Sequence, residues 1–353
     1  MTDVFKKLAI HLDKTPSGFP ETESGVEIRI LKQLFTEPEA ELALCLMQMP
    51  EPAEAIAERA GKDPETVKSM LIEMGVKGLV IHVNKDNTDT FMLLHFVVGI
   101  WEYQVNRLTK QLIKDFNEYV PYLIKSQYRQ KTQQLRVVPV NQAVNVDLNV
   151  MDYDRVEHII RSQSKILVAP CICRKEHTMM DKGCDKPLET CLIFGGGAYI
   201  YEKRGVGRTI TQEEALEIVE KGIQSGLVPQ PSNSQKPINI CLCCSCCCQV
   251  LKNIKDLEEP SKVVSSNFHA KVDADACIGC QACEEICPME AVSMTDEAIA
   301  RVEKNRCIGC GLCVNACEFD AMSLRDKDQS EQMVPPANLI ETYMAIAKEK
   351  GLL

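Results

Sequence analysis

Eighteen of the nineteen cysteines in this chain fall between residues 171 and 317, and that crowding limits its possible folds more than any other feature. Thiols at this density form disulfides or hold metal. Disulfides belong to oxidising compartments, which a chain reaches through an N-terminal signal. Residues 1–12 include Asp3, Lys6, Lys7 and His11 and have no apolar core region, so no signal peptide is read there. The longest apolar run, 91–101, is interrupted by His95 and is about half the length of a membrane span. The chain is therefore expected to be cytoplasmic, without a transmembrane segment, and its clustered thiols are expected to bind metal. A composition of 45% hydrophobic and 25% charged residues fits a folded protein, and 353 residues call for several domains.

The most regular cysteines lie near the C-terminus. Cys277, Cys280, Cys283 and Cys287 are spaced C-x2-C-x2-C-x3-C, and Cys307, Cys310, Cys313 and Cys317 repeat that spacing thirty residues later. The repeat extends past the cysteines, since 290–294 matches 320–324. This pattern resembles the bacterial two-cluster ferredoxins, and the resemblance implies two [4Fe–4S] clusters that carry low-potential electrons. It also implies a crossed ligand set, in which the fourth cysteine of each motif serves the other cube. Cys277, Cys280, Cys283 and Cys317 would then hold one cluster, and Cys307, Cys310, Cys313 and Cys287 the other. Gly279 and Gly309 suit loops whose backbone must come close to a cube. One departure is Glu318 after Cys317, where the first motif has Pro288 after Cys287. Paired C-x2-C units also suit zinc. The x3 spacing, Pro288 and the duplication favour iron–sulfur.

A second set lies upstream: Cys171, Cys173, Cys184 and Cys191, then Cys241, Cys243, Cys244, Cys246, Cys247 and Cys248. Apolar stretches at 166–169 and 237–240 read as strands, so both groups sit where strands end, a usual ligand position in open α/β layers. Cys171, Cys173, Cys184 and Cys191 make the most economical set of four. Three chemistries compete: one or more further iron–sulfur clusters, structural zinc, and thiol redox or persulfide work. Thiolate-only ligands beside a ferredoxin module favour further clusters. The stretch 165–325 is also similar to ferredoxin-fused iron–sulfur proteins of anaerobes, which brings no settled activity with it. His177 is an outside candidate ligand, and Cys45 reads as a core residue of an apolar helix. The glycines at 195–197, 205 and 207 lack the dinucleotide fingerprint. Arg174, Lys203, Arg204 and Arg208 are candidates to offset thiolate charge or to meet an acidic partner.

The front of the chain reads as three helices (39–47, 52–60 and 64–76) and a hairpin (79–83 and 90–96), similar to a winged helix-turn-helix. Residues 39–95 hold five Lys/Arg and ten Asp/Glu, the wrong balance for phosphate contacts, and the whole chain carries −10. DNA is therefore disfavoured, and a docking or structural role is expected. A helix is expected over 97–119, strands over 135–140 and 144–148, a helix over 154–164, another opened by Thr211, and an amphipathic tail helix over 337–348.

These readings give an α+β, multi-domain chain. It comprises a winged-helix-like domain (1–96), a helical connector (97–134), an α/β cysteine-rich domain (135–262), a two-cluster ferredoxin-like module (263–328) and a helical tail (329–353). The expected function is an electron-transfer component of an oxidoreductase that serves a redox partner protein; self-association is compatible with the sequence. Two rivals are a reductase whose middle cluster binds substrate or cofactor, and a redox-sensing winged-helix regulator. No Ser–His–Asp set, acid–base carboxylate pair or flavin motif points to catalysis of its own.

Overall fold

A computed structural model describes residues 3–140 and 150–353, and the chain divides into two units. The expected strand 144–148 lies outside the described residues. The first unit comprises Met1–Gln130, Ile200–Val206 and Ala347–Leu353. It opens with α1 (Val4–Asp13), α2 (Val26–Leu34) and α3 (Glu37–Ala43), followed by β1 (Glu51–Pro52), α4 (Ala53–Ala60), α5 (Pro64–Lys77), β2 (Val80–Lys85) and β3 (Thr88–Leu93). The three strands form an antiparallel sheet in the order β1-β3-β2. Local chemistry sets the limits of α5. The Asp63 carboxylate accepts from the Thr66 amide, Pro64 takes the first turn, and Gly78 ends the helix at φ 77°. Any Cβ at Gly78 would lie 2.5 Å from that of Tyr103, so glycine is required there for space as well as for φ.

The helix expected over 97–119 takes a different form. Val97 is extended at φ −135° and ψ 134°, a short helical turn α6 follows (Trp101–Tyr103), and the long helix α7 runs Lys110–Gln127. Thr109 explains the late start, because its hydroxyl accepts from the Leu112 amide and caps α7. Irregular backbone from 97 to 100 lets Phe96 and Trp101 turn inward. Trp101 stacks on Phe116 at 3.5 Å, and Phe96 meets Phe19 edge-on at 4.8 Å. Aromatic packing thus overrides the helical periodicity.

The second unit comprises Lys131–Tyr199 and Gly207–Ile346. Its elements begin with α8 (Val156–Arg161), β4 (Ile166–Pro170), α9 (Ile172–Met179), β5 (Glu189–Phe194) and α10 (Gly195–Lys203, whose last turn belongs to the first unit). Then come β6 (Arg208–Ile210), α11 (Gln212–Gln224), β7 (Val228–Pro231), β8 (Asn239–Cys243) and α12 (Gln249–Lys255). The five strands form a sheet in the order β6-β4-β5-β8-β7, antiparallel at every pairing. The middle domain thus mixes helices with a wholly antiparallel sheet, in keeping with the α+β class expected for the chain. The Cys171 amide donates to the Leu188 carbonyl at 2.8 Å, so β5 begins beside the point where β4 ends and has to run back along it. Leu167, Val168, Leu192, Ile240 and Leu242 form the buried ladder core.

The ferredoxin module follows as two copies of strand, loop, short helix and strand. The first copy is β9 (Phe268–Val272), α13 (Ala282–Glu285) and β10 (Val292–Met294); the second is β11 (Ala300–Val302), α14 (Leu312–Asn315) and β12 (Met322–Asp326). The outer strands pair with each other, as do the inner ones. The tail helix α15 spans Leu339–Glu349. Arg306 ties the module to the sheet domain. Its guanidinium donates to the carbonyls of Lys255 (2.8 Å) and Leu257 (3.0 Å) after β8, and to that of Met289 (3.0 Å) within the module. Arg306→Ala is expected to destabilise this unit by about 2 kcal/mol or more, since charged hydrogen bonds to carbonyls are lost. Anaerobic denaturant unfolding checks it; an unchanged midpoint would show that the tether carries no stability.

Candidate metal centres

The two ferredoxin motifs build two recesses. Cys277, Cys280, Cys283 and Cys317 line one, with Ile278, Met294 and Phe319; Cys287, Cys307, Cys310 and Cys313 line the other, with Pro288 and Ile308. The fourth cysteine of each motif thus stands with the first three of the other, the arrangement that the ferredoxin resemblance implies. Gly279 (φ 74°) and Gly309 (φ 68°) make the loops feasible, because a Cβ at either would lie 2.3 Å from a backbone oxygen, that of Ala298 or of Phe268. Backbone amides point at sulfur in both recesses. Ala300 donates to Cys277 at 3.4 Å, Ala270 to Cys307 at 3.3 Å and Ala291 to Cys287 at 3.2 Å. Such N–H···S contacts stabilise thiolate and tune a cluster's potential.

The recesses differ in exposure. Cys280 is exposed and Cys277 and Cys317 are half-buried, whereas Cys307, Cys310 and Cys313 are all buried. Burial pushes the Cys307, Cys310 and Cys313 thiols up. The charge that keeps them ionised must therefore come from bound metal. Four thiols lining each recess, with amides aimed at sulfur, fit a [4Fe–4S] cluster.

The ten upstream cysteines gather at one end of the antiparallel sheet. Cys171 follows β4, Cys191 lies on β5 opposite Cys241 of β8, and Cys243 ends β8. Six of them form a continuous chain of thiol contacts. Cys173 meets Cys171 and Cys248, Cys243 meets Cys248 and Cys241, and Cys241 meets Cys191. The other four, Cys184, Cys244, Cys246 and Cys247, form a separate group. The economical set of the sequence reading therefore divides: Cys171, Cys173 and Cys191 stay together, and Cys184 joins the later tract. No sequence signal marks that division, because Cys184 sits in an irregular stretch between α9 and β5 whose path depends on tertiary structure.

Arg174 is the one flagged cation that meets thiols. It is 2% exposed, donates to the Leu242 carbonyl at 3.1 Å and contacts Cys244 Sγ at 3.7 Å. Arg208 instead pairs with Glu189 at 3.0 Å and Glu214 at 2.5 Å, and Arg204 lies over the Tyr103 ring at 3.8 Å. His177 places Nδ1 2.8 Å from the Cys173 carbonyl oxygen, so that nitrogen serves the backbone. Cys45 lies just beyond α3, half-buried rather than in the core. Gly195 and Gly196 line a cleft of about 620 Å³ with His158, Gln163 and Lys236, apart from the thiols.

A family model described as a 4Fe-4S dicluster domain matches residues 270–325. The protein carries [4Fe–4S] clusters in this module, in keeping with the donor sets above. No curated protein and no solved structure matches the chain. Gly309→Ala forces both a left-handed φ and a backbone clash, at a cost of about 1–3 kcal/mol. It is expected to lower the iron and sulfide content of the purified protein, and full occupancy in that variant would mean that the loop relaxes freely.

Proposed function

We propose that this protein relays single electrons from the ferredoxin clusters to a further iron–sulfur centre held by the six-thiol chain, and from there to a partner oxidoreductase. One observation carries the reading: α12 spans the distance between the two. Cys248 is the N-cap of α12, and the carbonyls at its far end, those of Lys255 and Leu257, are held by Arg306, the residue before Cys307. Seven residues of helix cover about 10 Å. A Lys255–Glu290 ion pair at 2.5 Å adds a second tie at the same end.

Exposure supports a direction. The recess with exposed Cys280 suits exchange with an outside electron carrier. The buried recess suits transfer inward, since its Cys310 carbonyl accepts from Val140 of the sheet domain at 3.0 Å. The front domain fits docking rather than DNA binding. On α5, Lys68 pairs with Asp89 at 3.2 Å and Lys77 with Glu39 at 2.5 Å, so the charges that phosphates need are already engaged.

Cys313→Ala and Cys280→Ala test the order of the relay. Each is expected to remove one ferredoxin cluster and to leave the middle centre intact by iron analysis and EPR. With substoichiometric reductant and freeze-quench EPR, Cys313→Ala should slow reduction of the middle centre at least tenfold. Unchanged middle-centre kinetics in that variant would rule out the relay, and loss of every cluster from a single substitution would rule out separate modules.

A further inference from the structure

Cys184, Cys244, Cys246 and Cys247 have a geometry that neither the ferredoxin recesses nor the six-thiol chain shares. Their sulfurs all lie within 4.8 Å of one another, and Cys247 Sγ is 3.7 Å from Cys184 Sγ. Among the described residues, no other group of three or more metal-ligating side chains converges so tightly. The distance is diagnostic. A metal–sulfur bond of about 2.3 Å in a tetrahedron sets the sulfurs about 3.8 Å apart. A cube bears its terminal thiolates on four separate irons and spreads them around a void, as the ferredoxin recesses do.

We infer that these four cysteines bind one tetrahedral metal ion, zinc or mononuclear iron, and not a cube. The site joins distant parts of the chain. Three ligands come from the turn between β8 and α12, and the fourth from the irregular stretch after α9, sixty residues earlier. A bound ion would fix that stretch where secondary structure gives it little support. Arg174 supplies the charge logic. Four thiolates around a divalent ion leave a double negative charge, and the guanidinium, buried to 2% exposure, touches Cys244 Sγ at 3.7 Å. Among the described residues no carboxylate forms an ion pair with it, so thiolate is the anion it meets. Cys171 and Cys243 also lie close enough to act on its charge, which places the cation between the single-ion site and the six-thiol chain.

The inference is independent of the relay, because it rests on the spacing of the four sulfurs and is read by metal and sulfide content rather than by electron transfer. The test uses the full chain, purified anaerobically, as the unsubstituted protein and as Cys184→Ser and Cys246→Ser. Either substitution should remove about one metal ion per chain and leave acid-labile sulfide and the ferredoxin EPR signal unchanged. Elemental analysis then identifies the ion as zinc or iron. Loss of three or four irons together with sulfide would overturn the inference in favour of a cube. If neither variant folds, the unsubstituted protein decides. Four sulfurs at about 2.3 Å at the zinc edge, or a single tetrahedral iron component in the Mössbauer spectrum, supports the site, and absence of both overturns it.

Discussion

The antiparallel pairing of β4, β5 and β8 is the constraint on which the upstream thiols depend. Cysteines from 171 to 248 are scattered over nearly eighty residues, and no local turn could gather them. The ladder does so by register. Ala169 lies opposite Cys191, Cys191 opposite Cys241, and Cys243 opposite Val228, so the end of one strand and the start of the next meet at the same edge. A slip of one residue would turn Cys191 and Cys241 to the other face and put Leu192 and Ile240, both wholly buried, in their places at the thiol site. The register therefore sets the ligand geometry.

Charge is the second constraint. Burial and neighbouring thiols push Cys173, Cys243 and Cys247 up, while hydrogen bonds hold Cys241 and Cys248 down, so the sheet end mixes thiols with sulfurs that favour the anion. Arg174 answers that charge from one side. Its guanidinium donates to the Leu242 carbonyl and the Thr190 hydroxyl, and these neutral oxygens hold the cation beside Cys244 Sγ. The structure thus anticipates metal: the cation is built in, and the ions that create its partners complete the balance.

The sequence made some of this plain and left the rest hidden, for physical reasons. Duplicated spacing declares the ferredoxin motif because each tight loop carries three of its own ligands, and the crossed fourth ligand appears in the shared recesses. Capping made α5 and α11 legible, through Asp63 and Thr211. The helix expected over 97–119 forms only from Lys110 onward, because 97–100 is irregular and packs Phe96 and Trp101 inward against Phe116. Strand direction was hidden as well. Cys171 and Leu188 close their loop through one backbone hydrogen bond, which no residue type announces. The same hidden closure separated Cys184 from the neighbours it has in sequence.

One device recurs at thiols in both halves of the second unit. Cys171 and Cys248 are the N-caps of α9 and α12, and Cys283 and Cys313 are the second residues of α13 and α14. Amide groups in a first helical turn have no partner within the helix and carry partial positive charge, so each is a ready donor to sulfur. Val250 and Leu251 donate to Cys248 in this way, and Leu312 donates to Cys310. Strands gather these sulfurs, and a few strand amides, those of Ala270 and Ala300, also reach them, but most ladder amides are spent on neighbouring strands. Short helices that start at the cysteines supply the missing donors. The alternation of strand, cysteine and helix is therefore what an all-thiolate site requires when it is buried: strands bring the sulfurs together, and helix starts hold them as anions for the metal.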